Sequence, residues 1–198
     1  MGKQVSALVD RALEAAGLLD VASAREEGRL DAVRGARSRL EMADLLALGA
    51  LADRVRAREV GDVVRVYANV APGAANGADV VMVHAQPEGL AFLRATAIAR
   101  ITGPFAARVR VDWTSVGLEL AQVALGFGAS ELLGIIATKR GLPLAEGDMS
   151  GSGKKSAQVS SQVVKQRELE GFIERSGRRA LFVQRAAASL ELESEATT

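Results

Sequence analysis

The chain has 198 residues, of which 48% are hydrophobic, with 25 Lys+Arg against 24 Asp+Glu, one His and no Cys. That length is one domain by default, with a core able to bury roughly 70% of the unfolded surface. The absence of Cys excludes disulfides, thiolate zinc sites, a cysteine nucleophile and a conventional iron–sulfur cluster built from these residues, and a lone His argues against a His-rich metal site.

Residues 3–17 read as a short helix, with Val5, Leu8, Val9 and Leu13 at helical spacing and Gly17 as its stop. Residues 21–36 are charged and Ala-rich, with Leu30 and Val33 as their large apolar contacts, and predict a second, more exposed helix. A stronger helix is expected from Met42 to Arg58, with Leu45, Leu46, Leu48, Leu51, Ala52 and Val55 on its apolar face. Its charges Asp53, Arg54, Arg56, Arg58 and Glu59 read as a solvated ladder.

The middle of the chain changes period. DVVRVYANV (62–70) is β-branched and alternating, a strand, and APGAANGA (71–78) is a loop. DVVMVHA (79–85) is a near-continuous apolar run, as in a parallel strand buried on both faces. A helix over 88–101, a strand over 107–113, a helix over 114–127 and a strand over 132–137 complete an alternation that implies parallel βαβ units. The fold class is α/β. Residues 141–156 read as a loop, 158–176 as a last helix and 181–183 as an arm. The expected organisation is therefore N-terminal helices over 1–41, an α/β core over 42–140, a loop and C-terminal helix with its arm over 141–187, and a disordered tail over 188–198.

A net charge of +1 gives no global attraction to nucleic acid or anionic membrane, and neither is an expected partner. No run of about 18 apolar residues is present to span a bilayer. The segment MGKQVSALVDRALEAAG has no apolar signal core, so the expected location is cytoplasmic.

The order of phrases carries a family resemblance. DLLALGALADRVRAREVGDVVRVYANV (44–70) resembles the helix and first barrel strand of the radical-SAM enzymes of futalosine-route menaquinone biosynthesis. These are the aminofutalosine synthase and cyclic dehypoxanthinyl futalosine synthase type, with relatives in deazaflavin-cofactor synthesis. VVMVHAQPEG (80–89) is similar to the family's sixth strand, and LRATAIARI (93–101) to the helix after it. RVRVDWTSVGLELAQVALGFGASELLGII (108–136) is similar to strand seven, helix seven and strand eight, and LELAQVALGFGASEL (118–132) is its most specific phrase. ELEGFIERSGRRALFVQR (168–185) resembles the C-terminal helix and arm. Asn69 and Asn76 keep a spacing the family places before its first cluster-binding Cys, a position held here by Ala78, and the other two cysteines have no counterpart.

The resemblance implies a half-barrel that lacks strands two to five. Its strands would stand in the spatial order 79–85, 107–113, 132–137, 62–70, because strand eight of a closed barrel pairs with strand one. It also implies two open edges and an apolar concave face, which a second copy or a partner chain would cover, or which the N-terminal helices would cover in a monomer. Without thiolates the parent cluster chemistry is lost and no cofactor is expected. The resemblance then points to a non-catalytic binding or scaffold subunit linked to menaquinone-type biosynthesis.

Barrel enzymes place functional residues at the C-terminal ends of strands. Those positions hold Tyr67, Asn69, His84, Asp112, Trp113, Thr138 and Lys139. His84 and Asp112 fall on neighbouring strands and are candidates for an acid–base pair, or for a strand-end residue and a helix cap. Tyr67, Asn69, Asn76, Trp113 and Lys139 are candidate ligand contacts, with Trp113 equally readable as a packing aromatic. Two further readings therefore stand beside the scaffold: a small cluster-free enzyme, or a small-molecule carrier. In SGSGKK (150–155), Gly151, Gly153 and Lys154 suggest an anion loop. A Walker motif is not met, because Asp148 stands where it needs Gly and Lys155 where it needs Ser or Thr, and a plain loop explains the segment as well.

Overall fold

The computed structural model describes residues 2–69, 79–137 and 163–183. Helices α1 (Gly2–Ala15), α2 (Leu19–Glu26), α3 (Leu30–Gly35), α4 (Arg37–Met42) and α5 (Leu45–Glu59) lead into β1 (Val63–Ala68). Then follow β2 (Val80–Val83), α6 (Gly89–Thr102), β3 (Arg108–Asp112), α7 (Trp113–Val116), α8 (Leu118–Leu125), β4 (Glu131–Ala137), β5 (Val163–Lys165), α9 (Gln166–Arg175) and β6 (Arg179–Phe182). The protein is α/β, and every ladder between described strands is parallel.

Local chemistry moves several expected boundaries. The helix expected over 21–36 is split into α2 and α3, because Gly28 takes a φ of +74° that a continuing helix does not allow. The helix expected over 114–127 is likewise broken at Gly117, whose φ of 86° and ψ of 149° suit only glycine. At the chain's C-terminal end, Val163–Lys165 extend as a strand beside Ile135–Ala137, so the helix expected over 158–176 begins only at Gln166; residues 158–162 lie outside the described ones. A Val-Val pair favours extended backbone over a helical first turn. The expected arm at 181–183 is a strand for most of its length, since β6 pairs with Val63–Val66 of β1.

The sheet order is β2-β3-β4-β1-β6, with β5 on the distal end of β4. The first four strands stand in the order expected above. Among the described residues the sheet is not closed. β6 pairs the β1 edge that was expected to be open. β2 is an edge strand with only Val83 buried, instead of a strand buried on both faces.

Alternation sends Val64 and Val66, Val109 and Val111, and Leu132 to one face, where they join the core with residues of α5, α6 and α8. Small residues let these layers close. A Cβ on Gly49 of α5 would lie 2.8 Å from Phe127 Cε1, and one on Gly134 of β4 would lie 2.6 Å from Trp113 Cζ2. Asp44 starts α5 by accepting from the Leu46 and Ala47 N–H groups at 3.0 and 2.9 Å.

The opposite face corrects the expectation of an apolar surface. Register places Met82, Arg110, Glu131, Arg65 and Leu181 in one row across the five strands. Its three central positions are charged because Arg alternates with Val along β1 and β3, which puts the arginines on the face the valines leave.

The ladder on α5 is also not simply solvated. Arg56 is buried, and Glu59 is held in a bidentate pair by buried Arg25 at 2.7 Å on each oxygen. Arg25 also donates to the carbonyls of Ile101 and Gly103 at 3.1 and 2.7 Å, which ties α2 and α5 to the end of α6. Arg100 donates to the carbonyls of Gly128 and Ala107 and to Ser130 Oγ, and burial pushes its pKa down to about 10, so it stays cationic at neutral pH. Arg178 donates to the Ala129 carbonyl and pairs with Asp53, joining the turn before β6 to α5. These guanidiniums satisfy loop carbonyls that would otherwise be buried without partners.

Candidate functional site

The distal row of the open face gathers three of the expected residues. Tyr67 and Asp112 both stand opposite Leu133, and His84 follows the end of β2, whose last pair with β3 is Val83 and Val111. Asp112 is committed to its own chain: Oδ1 accepts from the Thr114 N–H at 2.8 Å and Thr114 Oγ1 at 2.7 Å, and Oδ2 from Ser115 Oγ at 3.3 Å. That is a cap on α7. His84 is exposed, and among the described residues no hydrogen bond or ion pair joins its ring to Asp112. Asp112→Ala is expected to destabilise the protein by about 1 kcal/mol through loss of the cap. His84→Ala should change stability by less than about 0.5 kcal/mol in the same urea titration.

Asn69 continues β1 with its side chain. Its Oδ1 accepts from the Ile136 N–H at 3.1 Å and its Nδ2 donates to the Ile136 carbonyl at 3.3 Å, mimicking the next ladder residue along β4. Its φ of 55° is a conformation Asn tolerates better than most residues. Trp113 lies on the other face, fully buried against Gly134. Asn76, Ala78, Thr138, Lys139, Gly151, Gly153 and Lys154 lie outside the described residues.

The structure adds a cluster that the sequence reading passed over. Arg110 and Glu131 are both 0% exposed and paired, with Nη2 at 2.6 Å and Nε at 3.0 Å from Oε2. The Tyr67 ring stacks 4.4 Å from the Arg110 guanidinium carbon. Glu131 Oε1 accepts no hydrogen bond and faces Arg108 Nε at 3.6 Å. Arg65 stands in register beside Glu131 but makes no ion pair with a described residue. The signal was present as the alternation RVRVD and VVRVY, whose period of two predicts a shared face once the strands are set side by side.

Among the described residues no group of three or more His, Cys, Asp or Glu is placed to hold a metal ion, and no helix is long and apolar enough to cross a membrane. Fold and site define an α/β protein whose open parallel sheet carries a charged face with a buried ion pair at its centre. No family model matches the chain, and no curated protein matches it.

Proposed function

We propose that the chain is a non-catalytic binding or scaffold subunit, a truncated relative of the radical-SAM enzymes of menaquinone-type biosynthesis. The observation that carries this reading is the strand order. β2, β3, β4 and β1 stand side by side, all parallel, in the sequence that strands six, seven, eight and one of the family's barrel would adopt. On this reading the sheet is part of a barrel wall, and β6 takes the side of β1 that strand two holds in a closed barrel. The β2 edge receives a second copy of the chain or a partner chain. The chain has no Cys to hold a cluster, so what it retains of the parent is a binding surface.

The second reading is a small cluster-free enzyme or a carrier working at the strand ends around His84 and Asp112. Their places at the same end of the neighbouring strands β2 and β3 favour it. The three hydrogen bonds that Asp112 accepts from Thr114 and Ser115 disfavour it, because they hold the carboxylate as a helix cap and leave it a single lone pair, on Oδ2, for a substrate. Alanine substitution at both positions in the native host separates the two. Unchanged pathway flux with an intact assembly supports the scaffold. Collapse of flux while folding and assembly persist overturns it.

A further inference from the structure

A second feature of the open face lies at the opposite end of the strands from His84 and Asp112. There Arg65 and Arg108 line a depression of about 420 Å³ together with Glu59, and Val63 and Leu181 supply apolar walls. That volume is in the range that takes small molecules.

The charges around it do not balance. Glu59 is spoken for: Arg25 holds both its oxygens at 2.7 Å, and the Ala106 N–H donates to Oε2 at 2.9 Å. Glu131 gives Oε2 to Arg110 and offers Arg108 only a 3.6 Å approach to Oε1, which is beyond hydrogen-bond length. The Arg108 side chain is 37% exposed. Arg65 has no ion pair and donates no hydrogen bond among the described residues. Two guanidiniums with unused donors therefore face one cavity, each able to present a planar fork of N–H groups. Their mutual repulsion is relieved when an anion lies between them.

We propose that this depression binds a small ligand carrying an oxyanion, carboxylate or phosphate, on an apolar body. The oxyanion sits between Arg65 and Arg108, where guanidinium forks match the geometry of either group. The apolar body lies along Val63 and along Leu181, which is 48% exposed as it stands. The site uses none of the residues of the family resemblance's strand ends and stands whether or not the chain is a radical-SAM relative.

The test is calorimetric titration of the full chain with phenyl phosphate, benzoate and inorganic phosphate, with benzyl alcohol as the uncharged comparison. Ionic strength is held constant so that general screening does not pass for binding. At least one anionic probe should bind saturably with one site per chain, benzyl alcohol should not, and Arg65→Gln should weaken binding about tenfold or more. Phenyl phosphate against benzoate tells which oxyanion is preferred. Arg65→Gln should fold like the wild type, because Arg65 supports no described partner, and circular dichroism checks this. Arg108→Gln supplies the second arm. Absence of saturable binding by every anionic probe, equal binding of benzyl alcohol, or unchanged affinity in both variants would overturn the proposal.

Discussion

Glu131→Ala destabilises the protein by about 3–5 kcal/mol, a large part of the 5–15 kcal/mol that holds a typical domain together. The reason is the partner left behind. Arg110 and Glu131 are both fully buried, with Nη2 and Oε2 2.6 Å apart, so removing the carboxylate takes away the charge that neutralises a guanidinium inside the sheet's packed row. Arg108 does not compensate, since it sits 3.6 Å from the same carboxylate and adds a second uncompensated positive charge. The double variant Glu131→Leu/Arg110→Met should return to within about 1–2 kcal/mol of wild type, because a buried ion pair and a volume-matched apolar pair are close in energy. Urea denaturation of the three proteins reads both effects. If the double variant is as unstable as Glu131→Ala, the pair is not what sets the cost.

The second large effect lies on the other face of β4. Gly134 lies against Trp113, and a Cβ there would come within 2.6 Å of Cζ2 and closer still to the ring-fusion carbons. Trp113 is fully buried and starts α7, so it has no room to withdraw without disturbing the turn that Asp112 caps. Gly134→Val should cost about 3 kcal/mol or more, at the upper end of what overpacking does. The chain has a single Trp, so its fluorescence should shift toward the exposed range in the same variant. Trp113→Leu makes room but leaves a cavity of its own, so the two substitutions should be strongly non-additive in a double-mutant cycle. Additive losses would mean that the ring and Gly134 do not compete for the same space.

Much of the fold was legible because it rests on short-range pattern. The alternation in 62–70 and 107–113 and the apolar runs at 79–85 and 132–137 contain the strands β1, β3, β2 and β4, and Asp112 was open to reading as a helix cap. The failures have physical causes of the opposite kind. β6 was read as an arm because its four residues become a strand only when Val63–Val66 offer a ladder, a non-local condition. Gly28 and Gly117 broke expected helices because a positive φ is a choice made by the backbone, and composition does not announce it. Charge misled most. Arg56, Arg100 and Arg110 look like surface residues in a chain of near-zero net charge, yet each is buried against carbonyls or a carboxylate that only the tertiary structure brings near.

The candidate site divides along the same line. Tyr67, His84 and Asp112 were picked out because they fall at the C-terminal ends of expected parallel strands, and Tyr67 and Asp112 do stand opposite the same residue of β4. What each side chain does there was set by neighbours: Thr114 and Ser115 for Asp112, Arg110 for Tyr67, Ile136 for Asn69. The arginines of the open face were unforeseen because their meaning depends on register. Arg65, Arg110 and Glu131 are far apart in the chain and become a row only when β1, β4 and β3 are aligned.

A parallel sheet that is unclosed among the described residues, with β2 at its edge, is expected to work in company. Light scattering on the protein purified from its native host, at micromolar concentration, tests that most directly. The account predicts an assembly heavier than the 20.7 kDa of one chain, either a multiple of it or a complex with a second polypeptide. A monodisperse species of 20.7 kDa with no bound partner contradicts it.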